Sequence, residues 1–285
     1  MTAAMRVVRT IGETRDAVRE ARGAGAIVGF VPTMGALHEG HRSLLRRARE
    51  QCGYVVISVF VNPTQFNDPA DLAAYPRDEA ADAAMARDVG VDLFFAPDPP
   101  AMYPTGFATA VTVGELSEPL EGAARGQSHF RGVATVVAKL FNIVAPDVAY
   151  FGQKDVQQAL VIRRLVRDLD FPIRVDVCPT VREPDGLAMS SRNVRLGPVD
   201  RTRALALRRG LDAAEQSIVT GERDAAAVAR AGRDAMRAHG VEPEYFEVVS
   251  ADTLRPLSVV QGEVLVAVAA RVGPVRLIDN VMLSV

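Results

Sequence analysis

From residue 27 to residue 177 the chain alternates between short runs dense in β-branched and aromatic residues and longer stretches with helical spacing. That alternation restricts the fold more than any other feature. Residues 27–31 (IVGFV) read as a strand, 39–51 as a helix, and 54–61 (YVVISVFV) as a strand without polar alternation. A strand with no polar face is buried on both sides. A helix at 78–89, a strand at 91–95, a helix at 134–144, a strand at 148–151, a helix at 156–169 and a strand at 173–177 continue the series, and a charged helix over 13–22 precedes it. Strands that alternate with helices form βαβ units, whose crossovers build a parallel sheet covered on both faces. Beyond Pro184-Asp185-Gly186 the order changes. Helical patterns at 200–219 and 224–238 come first, and strands at 245–249, 264–269 and 275–278 follow. The expected fold class is therefore α/β, with a Rossmann-like parallel-sheet domain over residues 1–180 and a smaller α+β domain over 181–285.

Composition narrows the function classes. Hydrophobic residues at 48% and charged residues at 24% are those of an ordinary soluble chain and exclude a disordered or collagen-like one. Lys+Arg at 33 against Asp+Glu at 35 give a net charge of -2, which argues against nucleic-acid and membrane-surface partners. Any anion site must be a local arrangement. Cys52 and Cys178 lie far apart, form no CxxC pair, and read as small buried hydrophobes in a reducing compartment. The first residues lack the apolar core of a signal peptide, and no run of about 18 apolar residues occurs, so a cytoplasmic location is expected. Of the 33 basic residues only Lys139 and Lys154 are lysine. Against that background a lysine in a special context stands out, since an ammonium and a guanidinium differ in shape and hydration.

Four segments carry chemistry. The first, PTMGALHEGH (32–41), follows the first strand of the series, at the end where doubly wound sheets bind ligands. Gly35 and Gly40 permit close backbone approach, and the next helix offers free N–H groups and a positive dipole end to a phosphate. His38 and His41, three apart, share a helix face from which both imidazoles can donate to phosphate oxygens. A helix cap with two surface histidines is the plainer alternative. No GxGxxG occurs at this turn, which speaks against a dinucleotide-dependent dehydrogenase. The second segment, Asn62-Pro63-Thr64-Gln65, ends strand 54–61. The Gln65 amide both donates and accepts, which suits a small substrate with hydroxyl and carboxylate groups, although a simple turn explains Asn-Pro equally well.

The third segment is FGQKD (151–155). Lys154 can neutralise a polyphosphate, Asp155 can accept from a ribose hydroxyl, and Gln158 lies one turn into the following helix. Alternatively Asp155 caps that helix and Lys154 is solvated. The fourth, DGLAMSSRN (185–193), sets two hydroxyls and a guanidinium on a Gly-led loop between the domains, as a mobile phosphate clamp or a Ser-rich linker. Together the four point to a nucleoside triphosphate site beside a small polar substrate. With no GxSxG elbow and no HExxH helix, hydrolase and metalloprotease readings find no support.

The motifs PTMGALHEGH, FVNPTQF, AYPRD, HFRGVATVVAKLFN, FGQKD with Gln157-Gln158, and DGLAMSSRN run over nearly the whole chain. They resemble those of the pantothenate synthetase (pantoate–β-alanine ligase) family. HEGH also resembles the HIGH signature of class I nucleotidyltransferases and aminoacyl-tRNA synthetases, and MSSR stands where those carry a lysine-bearing KMSKS-like loop. The resemblance implies an ATP-dependent ligation in two steps. Pantoate carboxylate attacks the α-phosphorus of ATP to give pantoyl adenylate and pyrophosphate, and the amine of β-alanine then displaces AMP.

By the same resemblance His41, His38 and Lys154 are catalytic. Met34, Gly35, Ala36, Leu37, His38, Glu39, Gly40 and His41 line the ATP site. Gly152, Gln153, Lys154, Asp155 and Val181 match adenosine-side contacts, and Met189, Ser190, Ser191 and Arg192 match the phosphate loop. Gln65 and Gln158 match the residues that hold pantoate, Gln65 also lying near β-alanine. Mg2+ accompanies ATP, and a homodimer is implied. The chain departs from the family at Arg125-Gly126-Gln127-Ser128-His129-Phe130, one residue longer than the usual Arg-Pro-Gly-His-Phe, so Arg125 receives no role. Asp78, Glu79 and Asp82 lie where members differ, and no metal ligand is assigned. Two rivals stand beside the ligase: an adenylyltransferase of the same superfamily acting on another small substrate, and a nucleotide-sensing protein without turnover. Gln65 together with Gln158, and the additional C-terminal domain, favour the ligase.

Overall fold

The computed structural model describes residues 4–285. The chain divides into two compact units, one running up to Gly152 and resuming at Gln157–Pro179, the other made of Gln153–Val156 and Thr180–Val285. The grouping of Gln153–Val156 with the C-terminal unit is a detail that the pattern of strands and helices does not announce.

In the first unit β1 (Arg6–Val8), β2 (Val28–Thr33), β3 (Tyr54–Val59), β4 (Leu93–Phe95), β5 (Val148–Gly152) and β6 (Arg174–Cys178) form one sheet in the order β1-β4-β3-β2-β5-β6. Every pairing is parallel. The helices are α1 (Ile11–Gly23), α2 (Glu39–Gln51), α3 (Pro69–Ala73), α4 (Glu79–Val89), α5 (Pro99–Met102), α6 (Glu121–Arg125), α7 (Gln127–Val144) and α8 (Val156–Asp168). From β2 the chain winds outward through β3 to β4, then returns to the other side of β2 to lay down β5 and β6. β2 and β5, in register at Gly29 with Val148 and Phe30 with Ala149, flank this reversal. In doubly wound sheets that is where ligands bind, beyond the carboxyl ends of the strands.

Successive strand residues face opposite sides of the sheet, and each side has its own core. Phe30, Val56, Leu93 and Phe95 pack with Ala17 and Val18 of α1, Val137 and Phe141 of α7, and Ile162 and Leu165 of α8. Val31, Val55, Ile57 and Phe94 pack with Leu44 and Leu45 of α2 and Ala83 and Ala86 of α4. Burying each of the larger of these side chains contributes about 1.5–3 kcal/mol. Cys52 and Cys178 lie buried and free within the second core. Burial pushes the Cys178 thiol up to about 11, so it behaves as a small hydrophobe. β1 and α7 are among the elements that differ from expectation. β1 has only three residues, two of them exposed, and carries no periodic signal. The expected helix at 134–144 starts at Gln127: Gln127-Ser128-His129 are polar and interrupt the pattern, while Phe130 and Val133 already join the buried face.

In the second unit β7 (Tyr245–Ser250), β8 (Glu263–Val272) and β9 (Val275–Ser284) form an antiparallel sheet in that order. The helices are α9 (Pro198–Ala204), α10 (Ala206–Val219) and α11 (Ala225–Arg237), so the expected helix at 200–219 is broken at Leu205. Val264, Val266, Val268 and Leu277 alternate toward Leu207 and Leu211 of α10 and Val228 and Met236 of α11. α11 rests directly on β7: a Cβ at Gly232 would run into the Phe246 ring. The chain thus combines a Rossmann-like parallel sheet with a smaller α+β unit. Among the described residues no helix is long and apolar enough to cross a membrane.

Candidate active site

The loop that leaves β2 is held by a carboxylate from α4. Gly35 (φ 82°) and Ala36 (φ 51°) are both left-handed. The Ala36 and Leu37 N–H groups that follow converge on Asp82, at 3.0 Å to Oδ2 and 2.7 Å to Oδ1. A Cβ at position 35 would sit 2.8 Å from the same Oδ2, so glycine is required for space as well as for φ. Asp82 is 3% exposed. Burial pushes its carboxyl above the usual range, and the two N–H bonds only partly oppose that. Its neighbours are also engaged: Asp78 caps α4 through the Ala81 N–H, and both Glu79 oxygens accept from Arg9. Among the described residues no group of three or more His, Cys, Asp or Glu forms a metal cage.

The helix that follows begins with a reciprocal cap made of imidazoles. His38 is the N-cap residue of α2, and its Nδ1 accepts the Gly40 N–H at 3.1 Å. The His41 Nδ1 accepts the His38 N–H at 3.3 Å. The pair takes the places usually filled by Ser and Glu in a capping box. The rings lie 4.2 Å apart, tilted by 45°. An Nδ1 that accepts carries no hydrogen, so in the neutral ring the hydrogen is assigned to Nε2, a donor. Capping and anion donation are therefore compatible, and neither histidine is exposed. Glu39 turns along the helix to Arg46 at 2.5 Å and Arg42 at 3.5 Å.

Beyond β3, Asn62 is 1% exposed and organises the second segment. Its Nδ2 donates to Gln65 Oε1 at 3.0 Å and to the Gly132 carbonyl at 3.1 Å, while its Oδ1 accepts from the Thr64 and Tyr103 hydroxyls. With Oε1 occupied, Gln65 Nε2 donates to Met34 Sδ at 3.0 Å. The first two segments therefore meet at Met34 and Gln65. Asn62 is the residue that the sequence reading undervalued: an amide closing a strand that is apolar but for Ser58 is its signal. Gln158 is half-buried near the start of α8. Its neighbour Gln157 is buried, donates to the Leu116 and Pro119 carbonyls and accepts the Glu121 N–H. Arg125 pairs with Glu121 at 2.6 Å, and the longer segment after it breaks the helix at Gly126 (φ 81°).

In the second unit Gln153–Asp155 form a single 3-10 turn. The Lys154 side chain is 18% exposed, with Nζ 3.9 Å from Asp155 Oδ1, so it is not a freely solvated lysine. Residues 181–189 form a hairpin, with the Met189 N–H donating to the Val181 carbonyl and the Glu183 N–H to the Leu187 carbonyl. Its tip is Glu183-Pro184-Asp185-Gly186, with Gly186 at φ 96°. Glu183 and Asp185 both hold Arg201 at 2.7 Å. Asp185-Gly186 thus makes a braced hairpin tip. Met189, Ser190, Ser191 and Arg192 leave the hairpin half-buried, with the Arg192 N–H donating to Ser190 Oγ.

A family model described as pantoate-beta-alanine ligase matches residues 6–282. The pantothenate synthetase of Moorella thermoacetica is 54% identical over 282 residues, covering 99% of each chain. That of Roseiflexus castenholzii is 52% identical over 281 residues, covering 98% of this chain and all of its own length. The crystal structure of pantothenate synthetase from Thermus thermophilus is similar at a TM-score of 0.92 and 50% identity, over 97% of this chain and 99% of that one. The pantoate-beta-alanine ligase from Francisella tularensis, solved with beta-gamma ATP and beta-alanine, gives a TM-score of 0.80 at 33% identity over 98% of each chain. Agreement of this extent, in sequence and in fold, means that the chain belongs to the pantoate–β-alanine ligase family.

Proposed function

We infer that the chain is an ATP-dependent ligase that joins pantoate to β-alanine, and we propose that it works through a pantoyl-adenylate intermediate. The observation that carries the reading is the imidazole-capped start of α2 beside the sheet's reversal point, where two Nε2–H donors are set by backbone bonds to both Nδ1 atoms. A carboxylate is a poor acceptor for an amine until one of its oxygens belongs to a good leaving group. Attack on the α-phosphorus supplies that group as AMP, and pyrophosphate departs. The chain's task is to neutralise charge and to hold the reactants in line.

In this reading residues 1–180 bind nucleotide and pantoate, and residues 181–285 begin with the phosphate loop. His38 and His41 donate to phosphate oxygens, and Met34–Leu37, Glu39 and Gly40 line the nucleotide through the loop and helix start. Lys154 and Met189–Arg192 neutralise the phosphates, while Gly152, Gln153, Asp155 and Val181 contact the adenosine side. Gln65 and Gln158 orient the pantoate carboxylate, and Gln65 also faces β-alanine. Mg2+ supplies charge neutralisation when it arrives with ATP. One Asp78 oxygen caps α4, both Glu79 oxygens accept from Arg9 and both Asp82 oxygens accept backbone N–H groups, so no metal ligand and no step are assigned to these residues. We further propose a cytoplasmic homodimer, for which light scattering should give twice the chain mass of 30.6 kDa.

The test is exchange of labelled pyrophosphate into ATP with pantoate and Mg2+ present and β-alanine absent. Exchange is expected, and Gln65→Ala or Gln158→Ala should weaken it by roughly 1–3 kcal/mol through an unpaired substrate group. On adding β-alanine the product should be AMP. Exchange that strictly requires β-alanine would rule out a separate adenylate step. Exchange with another small acid in place of pantoate would favour the adenylyltransferase.

A further inference from the structure

The two phosphate-handling segments of the second unit are tied to one dipeptide far along the chain. Asn280, on β9, is 3% exposed. Its Nδ2 donates to the Gln153 carbonyl at 2.9 Å and to the Lys154 carbonyl at 3.0 Å, and its Oδ1 accepts from Gln153 Nε2 at 3.4 Å. Both amide hydrogens are thus spent on consecutive carbonyls of the turn from which the Lys154 side chain springs. Asp279 is 4% exposed and takes Arg182 bidentately, Nη1 to Oδ2 at 2.6 Å and Nη2 to Oδ1 at 3.0 Å. Arg182 Nη1 also donates to the Gly186 carbonyl. Arg182 pairs with Ala188 across the hairpin, next to Met189.

Adjacent strand residues face opposite sides, so one dipeptide can serve two segments. Val275 and Leu277, in phase with Asp279, join the core with α10 and α11, and Asn280 has the opposite phase. The base is firm: β9 pairs with β8 from Val275 to Ser284, with Asp279 opposite Val268 and Asn280 opposite Ala267. A buried Asp-Asn pair in an apolar strand is costly unless every polar group is bonded. Here the bonding falls on the supports of Lys154 and of the segment after Ala188.

We propose that Asp279 and Asn280 are positioning residues for ATP binding, Asn280 acting through Lys154 and Asp279 through Arg182 and the 181–189 hairpin. The proposal rests on the reading above, in which Lys154 and Met189–Arg192 hold the phosphates. Neither Asp279 nor Asn280 touches substrate in this scheme. The decisive substitution is Asn280→Asp, which keeps the shape but places a carboxylate oxygen against two carbonyls and removes both donors.

Equilibrium binding of ATP with Mg2+ should be measured on the full chain for wild type, Lys154→Ala, Asn280→Asp and the double variant, with a cooperative thermal transition confirming folding. Lys154→Ala and Asn280→Asp should each weaken ATP by about tenfold or more. The double variant should lie within about twofold of Lys154→Ala alone, as expected of residues acting on one contact. If Asn280→Asp fails to fold, Asn280→Ser, which keeps one donor, should give an intermediate loss and the same non-additivity. Unchanged ATP binding in Lys154→Ala would overturn the role of Lys154, and the positioning proposal with it. A loss in Lys154→Ala with none in a folded Asn280 variant would leave the site reading standing and overturn the positioning. Losses that multiply in the double variant would also overturn it, because Asn280 would then act independently of Lys154.

Discussion

The loop at Met34–His41 and the segments at Lys154 and Met189–Arg192 are assigned to one substrate, yet the chain supports them in different ways. The first is braced largely by its own neighbours. His38 and His41 cap the helix they belong to, and the more distant supports, Asp82 of α4 and Gln65 beyond β3, come from the same parallel-sheet unit. The second depends on β9, some hundred residues downstream, through Asn280 and the Asp279–Arg182 pair. A short-range brace survives as long as its helix forms. A long-range brace exists only once the whole unit has folded, and it can be weakened without touching the segment that it holds.

The largest effect is expected in the self-braced region. His38→Ala or His41→Ala should reduce pyrophosphate exchange by at least about 10²-fold, the scale of one lost donor at a developing charge. Only about 1 kcal/mol of stability should go with the cap. A near-normal rate in either variant would remove that histidine from the mechanism.

Asp82→Ala comes next. It leaves the Ala36 and Leu37 N–H groups without acceptors in a buried setting, which should cost about 2–3 kcal/mol in denaturant unfolding, and exchange should fall as the loop relaxes. Full exchange activity in a folded Asp82→Ala protein would show that the loop holds its shape without α4. Lys154→Arg should lose about tenfold in exchange, because a forked, longer cation does not replace a point charge on a confined stem. Wild-type kinetics in that variant would mean that charge alone suffices there.

The smallest effect concerns pH, and here the two regions should respond with opposite sign. Burial raises the Asp82 carboxyl above its unfolded value. Its contribution to stability is therefore complete at acid pH and is lost as pH rises through the folded value. Hydrogen bonding from Arg201 lowers the Asp185 carboxyl, so its contribution is present above the unfolded value and lost as pH falls through the lowered one. From about pH 7 down to about pH 3, wild type should gain stability relative to Asp82→Asn and lose it relative to Asp185→Asn. The same trend in both comparisons would contradict this account of the two carboxylates.

Much of this protein was legible from residue order alone, because the physics involved is local. Apolar runs at 54–61 and 148–151 announce strands buried on both faces, and their alternation with helical patterns leaves a parallel sheet as the consistent outcome. The segments 32–41, 62–65, 151–155 and 185–193 stand out for the same reason: glycine, histidine, amide and lysine at strand ends advertise their chemistry within a few residues. What tertiary structure alone decided lies at long range. β1 is a strand only because β4 is beside it. Asp82, which looks like any acid on a charged helix, becomes the anchor of Ala36 and Leu37 only when α4 packs on the sheet. Gln153–Val156 groups with the C-terminal unit, and Asp279-Asn280 acquires partners at Arg182 and Lys154, through hydrogen bonds that span roughly a hundred residues of sequence. No local pattern encodes such pairings, since they arise where separately folded elements bury polar groups that must be satisfied.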